Sequence, residues 1–214
     1  MSQPARPKFR RPARLDPAAA DQLPGGLDPA AQAELAHASA GALVARARAR
    51  AAEDPALVER LLALVETEGV DVLATLWSQA PADSLPGALW RVYMLREWVR
   101  RDPATVLDRY KLGVRSHQVA RVVAGAQHPP GPDEMLALAD AVLSGVFTGE
   151  LDVALSRAAA FARILATGSA LDADWIEEQR PAEAAAVTRR ASQLLASAEA
   201  LESAARQWRR GTLE

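Results

Sequence analysis

Few residues in this chain have the type and spacing for chemistry. Cysteine is absent, which removes disulfides, thiolate catalysis and zinc–thiolate centres. The three histidines, His37, His117 and His128, are scattered, and no ligand set for a metal is expected from them. Ser116 and His117 are adjacent, but neighbours on a helix point apart, so they do not make a nucleophile and its base. The local carboxylate pairs Glu66 and Glu68, Asp172 and Asp174, and Glu177 and Glu178 are explained by capping and solvation. Asp133 and Glu134 fall in a first helical turn, where acids complement the helix dipole. There is no glycine-rich phosphate loop, no G-x-S-x-G, no H-E-x-x-H and no EF-hand loop. The chain is therefore expected to be no enzyme and to need no metal or organic cofactor.

Arginine offers more. Arg96, Arg100 and Arg101 cluster on one apolar segment, and Glu97 stands four residues before Arg101, at ion-pair spacing. Two readings stay open. The cluster closes the core as a salt-bridged rim against Asp102 and Asp108, or it meets an anion or an acidic partner. The tryptophans beside it, Trp90 and Trp98, are expected in the core.

These groups must be positioned by helices. Alanine occurs 48 times and arginine 23 times against two lysines, with only two isoleucines and no asparagine. Ala, Leu, Arg and Glu all favour helix, and no run alternates long enough for a strand. The clearest pattern is an unbroken heptad through Ala184, Val187, Ala191, Leu194, Ala198, Leu201, Ala205 and Trp208. Steps of three and four suit a long helix beside another, and alanine at alternate seam positions lets backbones approach. Asp-Pro pairs at residues 28–29, 54–55 and 102–103 read as helix starts.

Helices are expected at 29–52, 55–68, 85–101, 103–111, 116–124, 133–146, 150–166 and 181–210. A short apolar segment runs from Val72 to Trp77, and a linker from Gly168 to Asp174. The segment 85–101 is apolar on most sides and should be central to the core. The fold class is all-α: a single multi-helix domain at 28–214 with long Ala-rich first and last helices, after a disordered basic tail at 1–27. Matching stripes suggest that the two end helices pack on each other, or that the last pairs with a second copy as a homodimer.

The net charge is −2, yet the first fifteen residues hold five cations and no acid. Residues 6–14 could touch nucleic acid weakly and non-specifically. No apolar run reaches the roughly 20 residues of a membrane span, and a cytoplasmic location is expected.

Two resemblances add to this. Residues 118–125 (QVARVVAG) followed by 132–141 (PDEMLALADA) resemble parts of lambda-repressor-type helix-turn-helix domains. Gly125 runs almost directly into the prolines, however, so the helix that would enter the groove is missing. The stretches Leu85–Arg91 and Leu95–Arg101, with the closing Trp208-Arg209-Arg210-Gly211, resemble an actinobacterial family of helical proteins without assigned activity. That resemblance implies a regulator, with the ParA chromosome-segregation ATPase as one target. The leading expectation is a non-enzymatic cytoplasmic adaptor or regulator acting through helical surfaces. Its interaction residues would be Arg96, Arg100, Arg101, Ala184, Ala191, Leu194, Ala198, Leu201, Ala205 and Trp208. The alternatives are a DNA-associated regulator using residues 114–146 or the basic tail, and an enzyme with an unrecognised site.

Overall fold

The computed structural model describes residues 28–47, 69–116, 129–145, 147, 150–178 and 180–214. The expected tail at 1–27 and the expected helices at 55–68 and 116–124 lie outside the described residues, Ser116 excepted. Among the described residues the fold is all-α, with seven helices and no strand: α1 (Pro29–Ala47), α2 (Val70–Trp77), α3 (Leu85–Arg101), α4 (Pro103–Arg115), α5 (Pro132–Leu143), α6 (Leu151–Glu177) and α7 (Pro181–Arg210). None of these helices is long and apolar enough to cross a membrane.

Local chemistry sets the ends of α3. The Ser84 hydroxyl accepts from the Gly87 amide at 3.2 Å, and Pro86 occupies the first turn. At the other end Asp102 has two tasks. Its amide donates to the Trp98 carbonyl, closing α3, and its carboxylate accepts from the Thr105 amide at 3.2 Å, opening α4. One residue is thus the whole connection between the two helices. Helix α7 runs over the expected span and ends at Gly211, whose φ of +70° is the left-handed cap that favours glycine. Beyond it Leu213 is buried, and the Glu214 carbonyl accepts from the Leu85 amide at 2.6 Å, satisfying a free donor at the start of α3.

The core has two axes. Helix α3 contributes Leu85, Ala88, Leu89, Val92, Tyr93, Leu95 and Val99, as its apolarity implied. Helix α6 is buried still more completely, with Leu155, Phe161, Ala162, Ile164 and Leu165 at zero exposure. Helix α1 packs on α2 and α3, and α5 on α3. The Trp77 indole N–H, fully buried, donates to the Ser39 hydroxyl at 3.0 Å, which joins α2 to α1.

The partner of the heptad helix differs from expectation. α7 packs along α6, its neighbour in sequence, and not on the first helix. The reason is the short separation in sequence: α6 ends at Glu177 and α7 begins at Pro181, and α6 offers its own apolar stripe, Ala158, Ala162 and Leu165. Ala184, Val187, Ala191, Ala198, Leu201 and Ala205 are buried there, with Leu194 and Trp208 half-buried at the edges. Arg163 clamps Glu202 across the pair through Nε at 3.1 Å and Nη2 at 2.7 Å. The seam is thus filled within one chain.

The expected linker is also corrected. Residues 168–174 are helical, and α6 continues to Glu177. Likewise α4 passes through Gly113 and reaches Arg115. These two glycines do not break helices; they meet. A Cβ on Gly168 would overlap the Arg109 carbonyl and lie 2.9 Å from the Gly113 nitrogen, and one on Gly113 would overlap the Ile164 carbonyl. Here α4 and α6 cross backbone to backbone, closer than alanine allows. Beside the crossing, buried Arg109 donates to Asp172 through Nε and Nη2, both at 3.0 Å.

Candidate functional site

Helix α3 has more apolar surface than the core uses. Leu89, Val92 and Val99 point inward, whereas Met94 is 47% exposed and Trp90 and Trp98 are only half-buried. These last three face the N-terminal half of α7, and the two helices do not close over them. A groove of about 550 Å³ is left between Trp90, Arg91, Met94, Leu95, Trp98 and Arg101 on one wall and Arg190, Gln193, Leu194 and Ser197 on the other. Bulky side chains on α3 hold α7 away, while alanines draw α7 onto α6. The expectation that the tryptophans belong to the core is therefore half met: each buries one side and lends the other to the groove.

Arg91 is the least ordinary group in this groove. Its Nη1 donates to the Gly87 carbonyl at 2.7 Å, one turn back on the same helix. Its Nε–H is shut away from solvent and has no hydrogen-bond acceptor. No carboxylate pairs with Arg91 among the described residues. Burial pulls its pKa below the usual arginine value, but a guanidinium starts so high that it stays charged. An unmet buried donor costs about 1–3 kcal/mol, and a charged group with no counterion is rarer still. Gly87 serves the arrangement twice. A Cβ there would overlap the Pro81 carbonyl, so glycine lets the turn before α3 pack close, and its own carbonyl holds Arg91.

The acids of the groove are already engaged. Glu97 faces Arg96 at 2.9 Å, Arg101 at 3.3 Å and Arg100 at 3.9 Å. Asp102 caps α4. Arg190, on the opposite wall, is exposed and makes no ion pair among the described residues. The groove thus presents two unpaired guanidinium groups, one from each wall, across an apolar floor.

The arginine cluster read from sequence divides. Arg96 is largely buried and bridges Glu97 to Asp140, tying α3 to α5. This is a rim ion pair, made with Asp140 in place of Asp102 or Asp108. Arg100 is exposed beside Glu97, and only Arg101 lines the groove. Of the heptad residues, Leu194 lines it; Ala184, Ala191, Ala198, Leu201 and Ala205 are spent on packing, and Trp208 sits half-buried against the core. Sequence reasoning passed over Arg91 and Arg190. A signal for Arg91 was present, since it is the one charged residue between Leu85 and Leu95.

Other features are weaker. A shallower depression of about 720 Å³ lies near Leu112, Arg115, Leu171, Asp174 and Leu195. Trp175 is 79% exposed near the end of α6. Tyr93, stacked on Trp90 with centroids 5.5 Å apart, donates to Asp71 at 2.7 Å. Its pKa is pushed up to about 12, first by burial, then by that bond and the charges of Glu97 and Asp71. Glu34 and His37 on α1 have Glu-x-x-His spacing, which the expectation of no ligand spacing overlooked. That spacing serves di-iron bundles when it recurs on two helices, and here no three His, Asp or Glu side chains come together among the described residues. His117, His128 and the 118–125 stretch lie outside the described residues, and helix α5 of the helix-turn-helix resemblance buries Met135 and Ala139 in the core. No family model, no curated protein and no solved structure matches this chain.

Proposed function

We propose that this chain is a non-enzymatic cytoplasmic interaction protein, an adaptor or regulator that takes its partner in the groove between α3 and α7. The observation that carries the proposal is the groove itself. Two tryptophans and a methionine stand partly exposed around the uncompensated cation Arg91. Binding energy at protein interfaces concentrates on tryptophan, tyrosine and arginine set among apolar neighbours. A concave seat between helices is also a common receptor for an amphipathic segment. The two stretches that resemble the actinobacterial family supply the α3 wall of this groove, so regulation of a ParA-type ATPase is the narrowest form of the proposal.

The test is a photo-crosslinking amino acid placed at Met94 in the full chain in its native host. Ser156, exposed on α6 and outside the groove, serves as the control position. A discrete adduct from position 94 and none from 156 is expected. Equal labelling from both positions, or none from either, removes the groove as the partner site.

A further inference from the structure

We infer that the groove between α3 and α7 selects an acidic amphipathic segment, one whose carboxylates meet Arg91 and Arg190 while apolar side chains fill the floor between them. This rests on the groove being the partner site and adds the partner's chemistry. The two guanidinium groups stand on opposite walls and neither has a counterion among the described residues. Between them lie Trp90, Met94, Trp98 and Leu194, which reward apolar contact. Arg91 is parked: only Nη1 is engaged, on its own helix's Gly87 carbonyl, and the Nε–H has nothing. A carboxylate in the groove draws the guanidinium out of this resting place and gives it a charge-assisted partner, the strong kind of bond that arginine's planar fork favours.

Charge argues against the other anions. Glu97 and Asp102 share the α3 wall, so the groove is no basic stripe of the kind that follows a phosphate backbone. Two separated cations across an apolar floor suit two carboxylates on either side of an apolar stripe. A free inorganic anion would satisfy the arginines and leave the tryptophans and methionine without a role.

The full-length chain, immobilised, would be panned against displayed 16-residue peptides with a fixed apolar stripe and randomised flanking positions. Enriched peptides are expected to carry Asp or Glu on both flanks. Their affinity should fall tenfold or more on Arg91→Met and on Arg190→Glu, and panning on Arg190→Glu should exchange one acid for Lys or Arg. Arg190 is exposed, so its variant keeps the fold whatever Arg91→Met does. Enrichment without acids, undiminished binding on both variants, or binding of a DNA duplex or phosphatidylglycerol vesicles lost on Arg190→Glu where peptides fail would each overturn the inference. If position 94 still cross-links to a partner in the host, only the acidic specificity falls; if it does not, the groove itself falls as a site.

Discussion

Helices α4 and α6 touch, whereas α3 and α7 stand apart, and side-chain size accounts for both. At the α4–α6 crossing Gly113 faces Gly168, and backbone meets backbone with the Ile164 side chain packed beside it. Across the groove Trp90, Met94 and Trp98 face Leu194, and the helices leave about 550 Å³ between them. The polar groups differ in the same sense. Arg109, next to the crossing, is buried and paired with Asp172, and the unmet group there is the neutral Ser169 hydroxyl, while in the groove the unmet donor belongs to the charged Arg91. One place has been optimised for packing and the other has not, and sites of recognition are where such local inconsistency collects.

The comparison can be broken most directly at the crossing. Gly168→Ala should destabilise by about 3 kcal/mol or more, since even one methyl overlaps a backbone carbonyl that cannot move freely. In an ordinary helix interior the same change would gain about 1 kcal/mol. A rise in the urea midpoint would show that the helices do not touch there. Leu89→Ala, in the fully buried face of α3, should cost about 2–5 kcal/mol by urea or thermal unfolding. Ala198→Leu on the α6–α7 seam should cost about 1–3 kcal/mol from overpacking. Met94→Ala in the groove should change stability by less than about 0.5 kcal/mol, and a large loss there would mean the groove is core.

The contrast sharpens at Arg91. Replacing it with methionine removes an unsatisfied buried donor, so unfolding free energy should hold or rise by about 1 kcal/mol. A loss above about 2 kcal/mol would make Arg91 a structural residue. The last effect shows only at alkaline pH. The Tyr93 phenol, held at about 12 in the fold, ionises near 10 when unfolded. Its contribution is fully present below pH 10 and is lost as pH rises from there toward 12. Absorbance at 295 nm should show Tyr93 titrating late in the native protein, and Tyr93→Phe should flatten that limb of the stability profile.

Much of the fold was legible because helix ends are written locally. Ser84 with Pro86, Asp102 with Pro103, and Pro181 at one end with Gly211 at the other mark boundaries that the structure reproduces for α3 and α7. Gly113 and Gly168 misled for a physical reason. A glycine that ends a helix and a glycine that admits a second backbone look the same until the second backbone is placed. The heptad likewise announced a helical neighbour without naming it; the short separation between Glu177 and Pro181 favoured α6. Of the residues that line the groove, Arg101 and Leu194 stand among the interaction residues expected from sequence, and Arg91 does not. Tryptophan on an apolar helix usually means core, and only the splay of α7 turned Trp90 and Trp98 into a wall.

Asp102 joins α3 to α4 with no loop to absorb motion, and eleven residues farther on α4 is pinned at Gly113. Mechanically this is a lever with its fulcrum at one end. Eleven residues of helix span about 16.5 Å, so a tilt of about 10° at the glycine crossing would carry the Asp102 corner through about 2.9 Å. That corner bears Arg101 and Asp102, the lip of the groove. Such a tilt would change the width of the groove's mouth, and a ligand seated in the mouth would in turn be felt at the crossing.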